Sequence, residues 1–227
     1  MIVRIGSHNG VPPRANPIIA KICAAALNRA DLMQREGDYP HPPGCPEWMG
    51  LEIAGEIVAI GAAAKERSSW EIGDKVCALL GGGGYAEYVT VKYDMLMPVP
   101  KNSSMVEAAA IPEAFATAYL NLFIEGQIKK GNTLLMNAGA SGLASVIIPM
   151  AKAFGVRVIT TVLTDEIASK IGHLGADRVV VTTKEDISLV LKEELEAGHS
   201  VDGPSIVLAE RSWANAFTIL PTEQDGS

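Results

Sequence analysis

Gly131 to Thr161 reads GNTLLMNAGASGLASVIIPMAKAFGVRVITT. Thr133 to Asn137 (TLLMN) is a short apolar run, as a strand buried on both faces requires. Ala138-Gly139-Ala140-Ser141-Gly142 is a turn of small residues. From about Leu143 to Phe154 the pattern is helical; Gly155 stops it, and Val156 to Val162 is rich in β-branched residues that suit a second strand. Strand, turn, helix and strand within this length make a parallel crossover. Its small-residue turn lets the backbone approach a pyrophosphate, and the free N–H groups of a helix N-terminus attract one. The pattern is A-G-x-S-G-x-A rather than a full G-x-G-x-x-G, because Ala144 holds the last position. An ordinary crossover turn that needs glycine for geometry alone has the same appearance.

Downstream, the alternation of helix and strand continues. A helix is expected over about Asp165 to Leu174 and a strand over Arg178 to Thr182. An amphipathic helix follows, with Ile187, Val190, Leu191 and Leu195 as its stripe, Thr183 as its N-cap and Gly198 as its stop. Ile206 to Ala209 is expected to be a fourth buried strand. This is a doubly wound parallel sheet. The full fold has six strands, so the sheet reads as incomplete.

Upstream, the character differs. MIVRIG suggests a strand, and HNGVPPRANP is a loop. Ile18 to Ala26 is strand-like, and Asn28 and Asp31 follow, three residues apart. They fit either helix-start capping or a shared polar face. Tyr39 and His41 lie in a Pro-rich loop over Gly37 to Glu47. Alternation marks a strand from Ile53 to Ile60, where Gly50, Gly55 and Gly61 suggest bends and close backbone approach. Trp70 to Val76 turns into another strand, Gly81 to Gly84 reads as a flexible loop, and Tyr85 to Val91 as a strand. Short strands joined by Gly and Pro turns describe a small β-barrel. From Met105 to about Glu125 the chain is Ala-rich and helical, interrupted at Pro112. The expected division is therefore residues 1–104 and 105–227.

Composition narrows the function. The chain has 227 residues, 48% hydrophobic and 20% charged, with a formal net charge of -7. It should pack, and its acidic balance disfavours nucleic acid as a partner. No apolar run reaches the length of a membrane span and no apolar leader opens the chain, so the cytosol is expected. Cys23, Cys45 and Cys77 form neither a disulfide framework nor a Cys-x-x-Cys pair.

The runs ALNRADLMQREGDYPHPPG, GLEIAGEIVAIG, IGDKVCALLGGGGYAEYV, AAAIPEAFATAYLNLF and GASGLASVIIPMAKAFG occur in that order. Together they resemble the zinc-independent quinone oxidoreductases of the medium-chain dehydrogenase/reductase superfamily, in the branch of the tumour-suppressor-inducible quinone oxidoreductase and zeta-crystallin. The resemblance covers about Ile18 to Ser227. It implies a GroES-like β-barrel domain followed by a Rossmann sheet. It also implies hydride transfer from NADPH to a small-molecule quinone, with Asn28, Asp31 and Tyr39 near the reacting oxygen. Thr117 would lie near the nicotinamide; Gly139, Ser141, Gly142, Leu143 and Thr164 would hold the cofactor. By this resemblance Asn28 and Asp31 stand in the segment where zinc relatives carry a ligating Cys, and Leu51 in the place of their His, so a carbonyl would be polarised by hydrogen bonds instead.

The chain also departs from this family. Ala144 replaces its last small glycine, Pro149 sits inside the following helix, and Ile167 stands where the family places a Lys on the 2′-phosphate. Asp165 and Glu166 put two acids beside that position, which disfavours NADPH by repulsion. Asp165 suits the ribose 2′-hydroxyl of NADH, or else complements the next helix. The adenosine-side Tyr is replaced by Thr182, and a glycine pair near the end by Glu210-Arg211. By this resemblance the final strands, which also make the family's homodimer contact, are missing. Two further readings therefore accompany the enzyme: a family member that no longer binds cofactor, and a binding module built on the barrel.

Overall fold

The structure, a computed structural model, describes residues 17–199. The strands expected at MIVRIG and at Ile206 to Ala209, and the Glu210-Arg211 replacement, lie outside the described residues. The chain divides into two compact units, Met1–Glu113 and Ala114–Ser227.

The first unit contains β1 (Pro17–Ala25), α1 (Arg29–Glu36), β2 (Glu52–Ile60), α2 (Ala62–Arg67), β3 (Lys75–Leu79), β4 (Tyr88–Lys92), β5 (Leu96–Pro98) and α3 (Met105–Ala109). The five strands form one antiparallel sheet in the order β4-β1-β2-β3-β5. The central strand β2 is covered on both faces. Ile53 and Ile57 pack with Ile18, Val76 and Val91 on one side. Ala54 packs with Cys77 and with Ala108 and Ala109 of α3 on the other. Gly55 faces an irregular step in β1, and a Cβ there would lie 2.3 Å from the Lys21 carbonyl oxygen. That is the close backbone approach its position in the strand suggests.

Gly81 to Gly84 differs from the expected flexible loop. Gly82, Gly83 and Gly84 are buried. Gly83 N–H donates to Trp48 O at 2.8 Å and Gly84 N–H to Gly50 O at 2.9 Å. Cβ atoms on Gly82 and Gly84 would lie 2.7 Å from Pro46 O and 2.8 Å from Gly50 O. These glycines let two backbone segments touch, which a run of glycines in sequence does not distinguish from freedom. Strand β4 also starts three residues later than alternation suggests, at Tyr88.

Helix α4 (Pro112–Tyr119) carries Pro112 at its first position, where a missing N–H costs nothing. It continues as a π-helical segment, Leu120–Glu125. The second unit then contains β6 (Thr133–Met136), α5 (Ala144–Ala153), β7 (Arg157–Val162), α6 (Asp165–Ile171), β8 (Arg178–Val181) and α7 (Ile187–Glu196). Its parallel sheet runs β6-β7-β8. Alternate residues feed opposite faces. Leu134, Met136 and Val158 pack under α5, through Ala144, Ile147, Ile148 and Ala151. Leu135, Ile159 and Val180 pack under α7, through Val190, Ile187 and Leu191. Helices thus cover both faces, and all four residues of β6 are buried.

One expectation needs adjustment. Thr183 does not cap α7: Asp186 does, accepting Ser188 N–H at 2.8 Å, and the Thr183 hydroxyl donates to Leu163 O instead. Asp is the stronger cap and sits nearer the apolar stripe. Pro149 lies within α5, but on its exposed side. The carbonyl that thereby lacks its i+4 donor belongs to Ser145, which is also exposed.

Candidate functional site

In the first unit, the segment between β1 and β2 gathers carboxylates. Asn28 precedes α1 in extended conformation and serves as its N-cap. Its N–H donates to Asp31 Oδ2 at 2.7 Å. Asp31, 4% exposed, also accepts Gly50 N–H on Oδ1 at 3.2 Å and the Tyr85 hydroxyl on Oδ2 at 2.8 Å. The Asn28 side chain points elsewhere: its Nδ2 donates to Glu52 Oε1 at 2.8 Å. Glu52 Oε2 accepts Glu113 N–H at 2.9 Å. Both readings of the Asn28/Asp31 spacing are therefore realised, the cap through the backbone and a polar cluster through the amide.

Glu52, 2% exposed at the start of β2, is the centre of this network. Burial pushes its pKa above 4.5 against the bonds from Glu113 and Asn28, and Asp31 adds to the rise. Glu113 is raised as well, by burial first and then by the charges of Glu52 and Asp31. Burial and the bond to Asp31 hold the Tyr85 phenol above the usual phenol range. Burial likewise raises Cys77, with Glu52 contributing. Tyr39 is half-buried in the loop after α1 and is not among the partners of Asn28, Asp31 or Glu52. Leu51, 6% exposed, presents only an aliphatic side chain.

The sequence reading missed Glu52, Tyr85 and Glu113. For Glu52 a signal existed: one carboxylate inside the alternating apolar run GLEIAG. Tyr85 and Glu113 are 54 and 61 residues away from their partners Asp31 and Glu52, and no local pattern encodes that distance.

In the second unit, the turn between β6 and α5 holds Gly139, Ser141, Gly142 and Leu143 together. Ala138 adopts a left-handed conformation with φ 54°. Gly139 N–H donates to Thr161 O at 2.8 Å, Ser141 N–H to Ala138 O at 2.8 Å, and Ala144 N–H to Ser141 Oγ at 3.1 Å. Among the described residues, the N–H groups of Ala140, Gly142 and Leu143 find no acceptor. The two glycines differ. A Cβ on Gly139 would lie 2.4 Å from Thr160 Oγ1, whereas one on Gly142 would meet nothing within 4 Å. Gly139 is needed for packing on β7, and Gly142 leaves open space beside unpaired donors. Such a turn accommodates the pyrophosphate of a dinucleotide. Ala144 is fully buried among Ala118, Leu134 and Ile147, so its methyl group is part of the core rather than an obstruction.

Thr117 is half-buried on α4. Its carbonyl accepts the Nδ2 of buried Asn121 at 2.6 Å, where the helix widens into its π-helical turn. Thr164 follows β7 and caps α6, accepting Ile167 N–H at 3.3 Å. Ile167 packs with Val162, Ile171 and Val181.

Residues 14–101 match the alcohol dehydrogenase GroES-like domain. The chain is 33% identical over 182 residues to the quinone oxidoreductase-like protein 2 homolog of Nematostella vectensis, covering 79% of this chain and 48% of that protein. It is 31% identical over 198 residues to the chloroplastic NADPH-dependent alkenal/one oxidoreductase of Arabidopsis thaliana, covering 82% of this chain and 50% of that one. The chain thus spans about half the length of these relatives. Among solved structures, Escherichia coli quinone oxidoreductase complexed with NADPH superposes with a TM-score of 0.72 at 26% identity, covering 93% of this chain and 64% of that one. With its GroES-like domain and its parallel nucleotide-type sheet, the chain is similar in sequence and fold to quinone oxidoreductase-like proteins of the medium-chain dehydrogenase/reductase superfamily over about half of their length.

Proposed function

We propose that the protein is an NAD(P)H-dependent oxidoreductase that reduces quinones or related electron-poor carbonyls by hydride transfer, without zinc, and that NADPH is its cofactor. The observation that carries this reading is the turn after β6, where, among the described residues, Gly142 has open space beside N–H groups of Ala140, Gly142 and Leu143 that find no acceptor. The names of the relatives, an NADPH-dependent alkenal/one oxidoreductase and a quinone oxidoreductase bound to NADPH, support the substrate class and the cofactor.

The donor set in the first unit supports chemistry without zinc. Leu51 has no ligating atom, and Asn28 offers an amide. When bound, NAD(P)H supplies the hydride, and one proton from water completes the reduction of a quinone to its hydroquinone. Glu52 holds the Asn28 amide nitrogen in place through one N–H. The second N–H remains for a substrate oxygen, where it would stabilise the negative charge that hydride addition creates. Asp31 fixes the start of α1 and engages the Tyr85 hydroxyl, which leaves the half-buried Tyr39 phenol as the second candidate donor.

The test is a thermal melt of the full chain with millimolar NADPH or NADH, followed by NAD(P)H oxidation with 1,4-benzoquinone. A cofactor at a hundred times its Kd adds about 2.7 kcal/mol of stability. A cooperative melt that rises with cofactor, together with quinone-dependent oxidation, is the expected result. A cooperative melt that neither cofactor moves refutes it. That outcome would favour a second reading, a family member that no longer binds cofactor, to which Ile167 in the apolar cluster of α6 lends support.

A further inference from the structure

NADPH and NADH differ by one phosphate on the adenosine ribose, and folds of this type meet that ribose at the end of the second strand. Here that strand is β7, and the chain after it runs Leu163, Thr164, Asp165, Glu166. In sequence this is an acidic edge, but in the structure each acid faces a lysine. Glu166 Oε1 accepts Lys170 Nζ at 2.7 Å, one helical turn on. Asp165 Oδ2 pairs with Lys184 Nζ, which comes from the turn after β8. That turn is fastened to the end of β7 at several points. Thr182 N–H and Oγ1 both donate to Val162 O, at 2.9 and 3.2 Å. Thr183 Oγ1 donates to Leu163 O at 2.8 Å. Lys184 N–H donates to Val181 O at 2.8 Å. The ammonium group is thus held beside the residues that follow β7, while the Lys184 and Asp165 side chains are 61% and 65% exposed.

We propose that Lys184 is the residue that reads the ribose 2′-phosphate, with Asp165 as its counter-ion in the free protein. This rests on the dinucleotide reading above and names the residue that makes the choice between cofactors. The 2′-phosphate brings close to two negative charges and several acceptor oxygens, against the single charge of Asp165. An exposed ion pair is held weakly and opens readily for a stronger anion. Asp165 then has two effects: it keeps Lys184 at the edge of β7, and it opposes the phosphate by its own charge. Because Lys184 comes from after β8, it leaves Ile167 free to pack in the apolar cluster under α6.

The test measures Kd for NADPH and NADH on the full chain by fluorescence titration at fixed ionic strength, with 2′,5′-ADP and 5′-AMP as fragment probes in thermal melts. Both positions are exposed, so the variants retain the fold. Lys184→Ala is expected to weaken NADPH and 2′,5′-ADP about tenfold, the effect of one charge-assisted hydrogen bond, and to leave NADH and 5′-AMP unchanged. Lys184→Arg should keep NADPH binding. Asp165→Asn should tighten NADPH severalfold by removing the like charge. Equal effects of Lys184→Ala on both cofactors, or none on either, overturn the proposal and leave the dinucleotide reading intact. Preference of the parent chain for NADH, abolished by Asp165→Asn, overturns it in favour of a carboxylate that holds the 2′-hydroxyl. Binding of neither cofactor by the parent overturns the dinucleotide reading and this inference with it.

Discussion

Replacing each glycine of the β6–α5 turn by alanine should produce opposite results, because the structure gives the two positions different reasons to be glycine. At Gly139 an added Cβ would lie 2.4 Å from Thr160 Oγ1, 3.0 Å from Thr160 Cγ2 and 3.1 Å from Ile171 Cδ1. Thr160 is fully buried and its hydroxyl donates to Met136 O at 2.7 Å. Moving it aside breaks that bond in a dry environment, which costs about 1–3 kcal/mol. Overpacking adds about 1–3 kcal/mol, and the reduced freedom of the unfolded chain returns only about 0.4–1 kcal/mol. Gly139→Ala should therefore destabilise by about 2–4 kcal/mol. At Gly142 an added Cβ meets no atom within 4 Å and the backbone is not left-handed. Gly142→Ala should leave stability within about 0.5 kcal/mol of the parent, yet on the proposed function it places a methyl group where a pyrophosphate would come close. The assay is urea unfolding of both variants, with the cofactor-induced rise in melting temperature measured alongside. Gly139→Ala should lose unfolding free energy; Gly142→Ala should keep it and lose the cofactor response. A third variant closes the argument. Thr160→Ala removes two of the three close contact atoms, so combined with Gly139→Ala it should cost less than the two single changes summed. If Gly139→Ala unfolds like the parent, or Gly142→Ala is equally destabilising, the division of roles is refuted.

Three other outcomes are expected. Tyr85→Phe removes the hydroxyl that Asp31 Oδ2 accepts at 2.8 Å; Asn28 N–H still serves that oxygen, so urea unfolding should show a loss of about 1 kcal/mol. Pro149→Ala restores a donor for the Ser145 carbonyl on the exposed side of α5 and should stabilise by about 1–3 kcal/mol in the same assay. Acid should weaken the second unit through Glu194 and Asp177. The bonds of Arg157, then His199, hold the Glu194 carboxyl below its ordinary 4.5 despite burial. At Asp177 burial pushes upward, but Lys152, Val158 N–H and Arg157 together pull it below 3.8. Both groups titrate lower in the folded state, so their stabilisation is present above about pH 4.5 and is lost as pH falls through the folded values. Unfolding midpoints from pH 7 to 3 should follow that course. Glu194→Gln should cost about 1–2 kcal/mol at pH 7, and the difference should shrink in acid, where the parent carboxyl is itself protonated.

The parallel half was legible because its elements are encoded locally. β6 is an uninterrupted apolar run, Gly155 has the left-handed φ of 74° that ends a helix, and β7 is β-branched. The sequence was ambiguous where the same residue serves two physical purposes. A glycine run signals freedom or close contact, and Gly82 to Gly84 are buried by contact with Pro46 and Gly50. A proline can end a helix or sit within one, and Pro149 lies within α5 on its exposed side, next to the equally exposed Ser145. Two acids after a strand signal repulsion of an anion, but Asp165 and Glu166 each meet a lysine, one of them from beyond the next strand. For the glycines and for Asp165 the deciding atom belongs to a distant segment.

The same reasoning applies to Glu52, the centre of the first unit's polar network, whose partners lie 24 and 61 residues away. Its folded pKa is raised, so the folded state holds a proton there more tightly than the unfolded chain does. The sign follows: protonation of Glu52 favours folding, and its ionisation opposes it. An apolar residue at this buried start of β2 would avoid that cost. Fold stability therefore does not account for a glutamate here. Geometry does: its two oxygens take one N–H from the Asn28 amide and one from the backbone at Glu113, which fixes an amide at the start of α1. We infer that Glu52 is present to orient Asn28. An ionisable group that opposes folding yet is fully bonded is the pattern expected where a side chain must be held ready for a ligand.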